Sequence, residues 1–250
     1  MTPNIVDELY EPHVAEARAR MEQDPAFCAL RDPTTAPILL ERYLILFNAS
    51  GVYMTEPVES WIRRAGERCC AIGLEQIGKS LITHAHHEAG HHLMMIKDTR
   101  NLVEVWNERR SPKLDAKSLL AAPPRPATQD YIKIHEDTIA SDRPFGQVAI
   151  EFEIERMSAV VFGPIIEVWK RVLPPEVISQ LSFIKEHVEL DVGHTQLNRK
   201  ILGRLLSAHP DAGEYLGTTG ARALDIYRTF VGEVLAAASA ALAANSSEAA

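Results

Sequence analysis

The chain has 250 residues, with 26 Lys+Arg against 34 Asp+Glu and a net charge of −8. That length suits one large domain or two small ones, and 46% apolar with 24% charged residues excludes wholesale disorder. An acidic balance without a Lys/Arg run argues against nucleic acid as a partner, and apolar stretches such as residues 159–166 are far short of a membrane span.

Helical periodicity dominates from one end to the other. Apolar groups at three- and four-residue steps predict a helix over residues 5–21, ended by Asp24-Pro25. Further helices are expected over 37–49 and, after a bend at Gly51, over 56–70. A long helical segment over about 71–107 has Gly73, Gly78 and Gly90 as its weak points. Residues 111–127, with four prolines, read as a loop. The pattern resumes over 128–141, over 145–172 and, past Pro174-Pro175, over about 176–208. A last helix over 213–242 fades into a disordered Ala/Ser tail at 243–250. No alternating strand and no repeat is found, so one all-α bundle of about seven or eight helices is expected over residues 1–242. Cys28, Cys69 and Cys70 make no disulfide framework and no CxxC pair. With no leader peptide visible at the start, a cytoplasmic setting is expected.

The unusual feature is histidine: ten in all, five of them between His84 and His92. His84-x3-Glu88-x2-His91 places three ligand-type side chains on one stripe, because positions i, i+4 and i+7 lie within about 60° on a helix. His187-x3-Asp191-x2-His194 repeats the spacing and the chemistry more than a hundred residues later. Between them, Glu151 and Glu155 share a face with Val148, Ile154, Met157 and Ser158, while Glu153 points elsewhere. Carboxylates on an apolar stripe are costly unless paired or coordinated. Imidazole and carboxylate without thiolate suit iron or manganese and also accept zinc. Glu88, His91, Glu155, His187, Asp191 and His194 are too many donors for one catalytic zinc and suit two irons; His84 and Glu151 are spare candidates. His86 and His92 lie off the stripe.

In these motifs the chain resembles the haem-oxygenase-like diiron oxidases, relatives by fold of the TenA thiaminases and of pyrroloquinoline quinone synthase. That family carries a Glu and a His on one core helix, a lone Glu on the next and HxxxDxxH on a third. Glu88 and His91 match the first, Glu155 the second, and His187, Asp191 and His194 the third; Glu151 competes with Glu155. The resemblance implies a haem-oxygenase-like bundle holding two Fe(II)/Fe(III) ions. It implies an O2-dependent oxidase or oxygenase of a small molecule (an amine, an amino acid or a fatty-acid-like compound) in specialised metabolism. An electron donor and a homodimer are further expected partners, and no residue beyond the metal ligands is assigned a catalytic role.

Other readings compete. His87, Glu88 and His91 spell HExxH, in which two histidines hold zinc and the Glu acts as base. A ferritin-like diiron protein would use the two [ED]xxH pairs, Glu155 and a fourth carboxylate from Glu41 or Glu59. A TenA-type thiaminase would need Cys69 or Cys70 as nucleophile in the pocket. Trp61, Trp106 and Trp169 read as core, and Arg63, Arg64 and Arg156 as candidates for a substrate carboxylate.

Overall fold

Prolines and polar caps cut the helical pattern into segments. Asn4 accepts the Val6 N–H at the start of α1 (Ile5–Leu9), and α2 (Glu11–Glu22) follows a break at Tyr10 with Pro12 in its first turn. Asp24 caps α3 (Pro25–Arg31), which has proline at its first position. Then come α4 (Pro37–Thr55), α5 (Val58–Ala71), α6 (Glu75–Glu88), α7 (His91–Arg109), α8 (Ala116–Leu120) and α9 (Pro126–Ala140). Helix α10 runs Gln147–Met157, passes through a π turn at Ser158–Phe162 and continues as Gly163–Val172. After a single turn at Pro175–Ile178 come α11 (Ser182–Ala208) and α12 (Gly213–Glu248). The computed structural model describes residues 4–248, apart from the side chains of residues 189–192 and 245–248.

The described residues thus form twelve helices and no strand, more than the seven or eight expected. The extra breaks have local causes. Gly73 (φ 87°) and Gly90 (φ 86°) adopt left-handed backbone that favours glycine, so the expected long segment becomes α6 and α7. Gly51 makes no bend; it is buried within α4, which continues to Thr55. The proline-rich loop holds α8, capped by Asp115. Helix α12 runs to Glu248, past the tail boundary expected at residue 243, in keeping with the high helix propensity of alanine. Within Pro210–Ala244 one stretch is long and apolar enough to cross a membrane by length and composition. In this fold it lies along α2, α4, α9 and α10.

Helix α4 is apolar nearly all round, as a central helix must be. Tyr43 meets Trp169 of α10, and Phe47 meets Phe162 and Phe230, with ring centroids 5.8–6.3 Å apart. Trp61, Trp106 and Trp169 are all core residues. Helices α5 and α6 pack as a close pair, α4 lies on α7, and α10 is held between α11 and α12. Asp98 of α7 ties the last part together. Its carboxylate accepts from Ser182 Oγ (2.6 Å) and the Phe183 N–H (2.9 Å), so a side chain from another helix caps α11.

His135 of α9 lies flat on Trp61, centroids 4.1 Å apart and planes within 7°, and meets Gln147 through Nδ1. Complete burial pushes its pKa down to about 3, against a smaller opposite pull from Gln147. The folded protein therefore keeps His135 neutral at a pH where the unfolded chain, titrating near 6.5, takes up a proton. Stability is lost as pH falls through 6.5. Between pH 6.5 and 4.5 the native protein should lose roughly 2 kcal/mol more than His135→Gln. Urea unfolding of both proteins across that range measures it, and parallel curves would refute it.

Candidate metal centre

The first expected triplet does not sit on one helix. Glu88 is the last residue of α6 and His91 the first of α7, and the chain turns between them through extended Ala89 and left-handed Gly90. That turn keeps His91 beside Glu88, Nδ1 to Oε2 3.0 Å. His84, one turn earlier in α6, is fully buried, while His86 and His87 are exposed.

Two donor groups form among the described residues. One comprises His84, Glu88, Glu155 and His194; the other Glu88, His91 and His187; within each, candidate ligand atoms lie within 4.8 Å of one another. His84 Nε2 is 2.7 Å from Glu155 Oε1 and 3.6 Å from Glu88 Oε1. His194 Nδ1 is 3.5 Å from Glu88 Oε1 and 3.7 Å from Glu155 Oε1. On the other side, the His91 and His187 rings meet edge to face at 4.7 Å. Glu88 thus turns Oε1 to the first group and Oε2 to the second. His84, spare in the sequence, joins the first group. Glu151, the other spare, belongs to neither and lines the adjoining pocket. Asp191 lies outside the described side chains.

Electrostatics fit a cation between these groups. Burial opposes a charged imidazole at His84, yet its contacts with Glu155 and Glu88 outweigh that and lift its pKa to about 11. Burial would raise Glu88, but His84 and His91 hold it well below the usual carboxylate range. Glu151 is pushed up to about 8, chiefly by burial, with Glu155 and Glu88 adding to the rise while His84 and Gln147 oppose it. Protons on imidazole balance the crowded carboxylates, and a bound metal would displace them. Donors that are all nitrogen and oxygen, converging from four helices, have the chemistry that first-row divalent ions accept, and Glu88 belongs to both groups.

Residues outside the sequence motifs orient these donors. Asn198, fully buried one turn after His194, donates from Nδ2 to Glu155 Oε2 at 2.6 Å. His187 Nδ1 donates to the Phe183 carbonyl at 2.8 Å. Asn198 stands four residues after His194, on the same stripe, and that spacing was its signal. Phe183 acts through its backbone and left none. The π turn at Ser158–Phe162 begins three residues after Glu155, and such turns are frequent at functional sites.

The rival motifs find less support. His87 enters neither donor group; its ring stacks on His194 at 5.7 Å, and the turn at Gly90 separates it from the helix of His91. Glu41 is paired with Arg109 (2.6 Å) and Arg110 (2.9 Å), and Glu59 with Arg63 (3.2 Å), so neither supplies a fourth carboxylate. Cys69 is buried, its thiol pushed up to about 12 by burial, and neither it nor Cys70 lines the pocket. Arg63 and Arg64 are paired with surface glutamates, and Arg156 does not line the pocket.

No protein-family model matches the chain, and no curated protein does. Solved structures do. A domain of unknown function with a haem oxygenase-like fold from Shewanella denitrificans superposes with a TM-score of 0.69 at 16% identity, covering 92% of this chain and 91% of that one. A TenA homologue from Pseudomonas syringae pv. tomato gives a TM-score of 0.70 at 15% identity, covering 93% of each. With all twelve helices and these two likenesses spanning nearly the full length, the chain has the haem-oxygenase-like, TenA-type fold.

Proposed function

We propose that this chain is a non-haem diiron enzyme that uses O2 to oxidise or oxygenate a small molecule. The observation that carries the reading is the division of Glu88 between two donor groups, one oxygen towards each. Bound irons would supply the electrons and open coordination positions that O2 chemistry needs. The chain's residues do the rest. Glu88 would hold metal from both donor groups, to which it belongs. The Phe183 carbonyl fixes the His187 tautomer, leaving Nε2 as its ligand atom. Asn198 holds one oxygen of Glu155 and presents the other to His84. The apolar wall beside the centre excludes bulk water from the reacting groups. Electrons could be drawn from a reductase, a small reductant or the substrate.

The test is anaerobic loading of metal-free protein with Fe(II), followed by exposure to O2 while oxygen uptake is recorded. About two irons per chain and iron-dependent O2 consumption are expected. Uptake of a single tight zinc ion, unchanged in His187→Ala, would overturn the reading. Metal content as purified does not decide the matter, because zinc outcompetes iron for many such donor sets.

A further inference from the structure

Beside the two donor groups lies a pocket with about 800 Å³ of empty space, open solvent at its mouth included. Glu88, Glu155 and His187 form its metal-side wall. Phe47, Met54, Met95, Phe162, Phe183 and Phe230 form much of the rest. No lysine or arginine is among the described residues lining it. A ligand filling this sleeve therefore has an uncharged apolar body, because a charged group there would be stripped of water without a partner.

One ionisable group in the wall is left over, and a cation placed beside it would hold it in the charged form. Glu151 is 6% exposed and lines the pocket, yet it belongs to neither donor group. Gln147 donates to its Oε1 at 2.5 Å from one turn below, and Gln147 is held in turn by the buried ring of His135. Among the described residues, Gln147 is the hydrogen-bond partner of the Glu151 carboxylate. Two helices thus hold a carboxylate that also lines the cavity. It stands one helical turn before Glu155, about 5–6 Å away at Cβ. Ionised, Glu151 repels a carboxylate placed beside it, and away from the donor groups no lysine or arginine among the described lining residues would pair with one. An ammonium satisfies Glu151.

Resting on the reading of this centre as an enzyme acting on a small molecule, we propose that Glu151 is the substrate's counter-ion, and that the substrate is a primary amine with an uncharged aliphatic or aromatic body. The ammonium sits one turn from the metal-side wall, so the nitrogen and the carbon bearing it are the atoms nearest the donor groups. Thr55, Tyr131 and Ser158, also in the wall, offer hydroxyls to remaining N–H groups.

Octylamine, octan-1-ol and octanoate share one body and differ in head charge. Their binding to the protein loaded anaerobically with Fe(II) can be compared by calorimetry. Octylamine should bind at least tenfold more tightly than octanol and more tightly than octanoate. Glu151→Gln keeps the shape, should remove the advantage over octanol and reverse the order of amine and acid, and should leave octanol unchanged. An amine no tighter than the alcohol in the native protein overturns the inference without any variant, and so does a Glu151→Gln protein that keeps the preference. Iron content measured on the same samples separates the two readings. An amine preference in protein that takes up no iron would sink the diiron reading alone, and full iron loading without the preference would sink the Glu151 assignment alone.

Discussion

Glu88→Ala should reduce iron uptake from about two ions per chain to one or none and lower iron-dependent O2 consumption roughly 100-fold or more. Removal of a group that merely orients a ligand costs 10–100-fold in metal affinity or activity, and Glu88 belongs to both donor groups. Its Oε1 lies 3.6 Å from His84 and 3.5 Å from His194, and its Oε2 3.0 Å from His91. Loss of Glu155 or His187 would instead damage one donor group directly. Elemental analysis and an oxygen electrode measure the effect. Glu41→Gln is the control, because that carboxylate is bound up with Arg109 and Arg110. A Glu88→Ala protein that still holds two irons would show that Glu88 is not shared.

The second large effect is on stability. Arg18 of α2 reaches Glu153 of α10 through Nε (2.8 Å) and Nη2 (2.5 Å), and Tyr10 donates to the same carboxylate at 2.9 Å. The Glu153 side chain has no solvent exposure and that of Arg18 only 12%. Breaking one partner of a buried pair leaves an uncompensated charge, so Arg18→Ala should cost about 3–5 kcal/mol. For a chain of this size that is on the order of 10 °C in melting temperature. The damage should be relieved in Arg18→Ala/Glu153→Gln, which removes the stranded charge as well. Iron uptake per folded molecule should be unaffected, because Glu153 lies in neither donor group. A loss below about 1 kcal/mol would mean that water reaches Glu153 and screens it, as it does exposed pairs.

These two glutamates look alike in sequence. Glu153 and Glu155 are two residues apart in an apolar helix, and helical geometry says only that they point to different faces. What each face meets is decided by helices far along the chain. Glu153 turns to Arg18 of α2, and Glu155 to His84 of α6 and Asn198 of α11. The same limit explains His84 and Glu151. Sequence spacing puts His84 on the stripe of Glu88, and Glu151 on that of Glu155. Only packing shows that His84 enters a donor group while Glu151 opens onto a cavity.

Read alone, the sequence determined the helical class and singled out the segments rich in His and carboxylate, because periodicity and residue spacing are local properties. It also marked Gly90 as a weak point. Tertiary structure decided that Gly90 divides two helices between Glu88 and His91, that one carboxylate faces two groups, and that Asp98 caps a helix from outside it. It also decided that Asn198 holds Glu155 and the Phe183 carbonyl holds His187. These are contacts between segments a few to more than a hundred residues apart. They depend on crossing angles and side-chain directions, which a one-dimensional pattern does not contain.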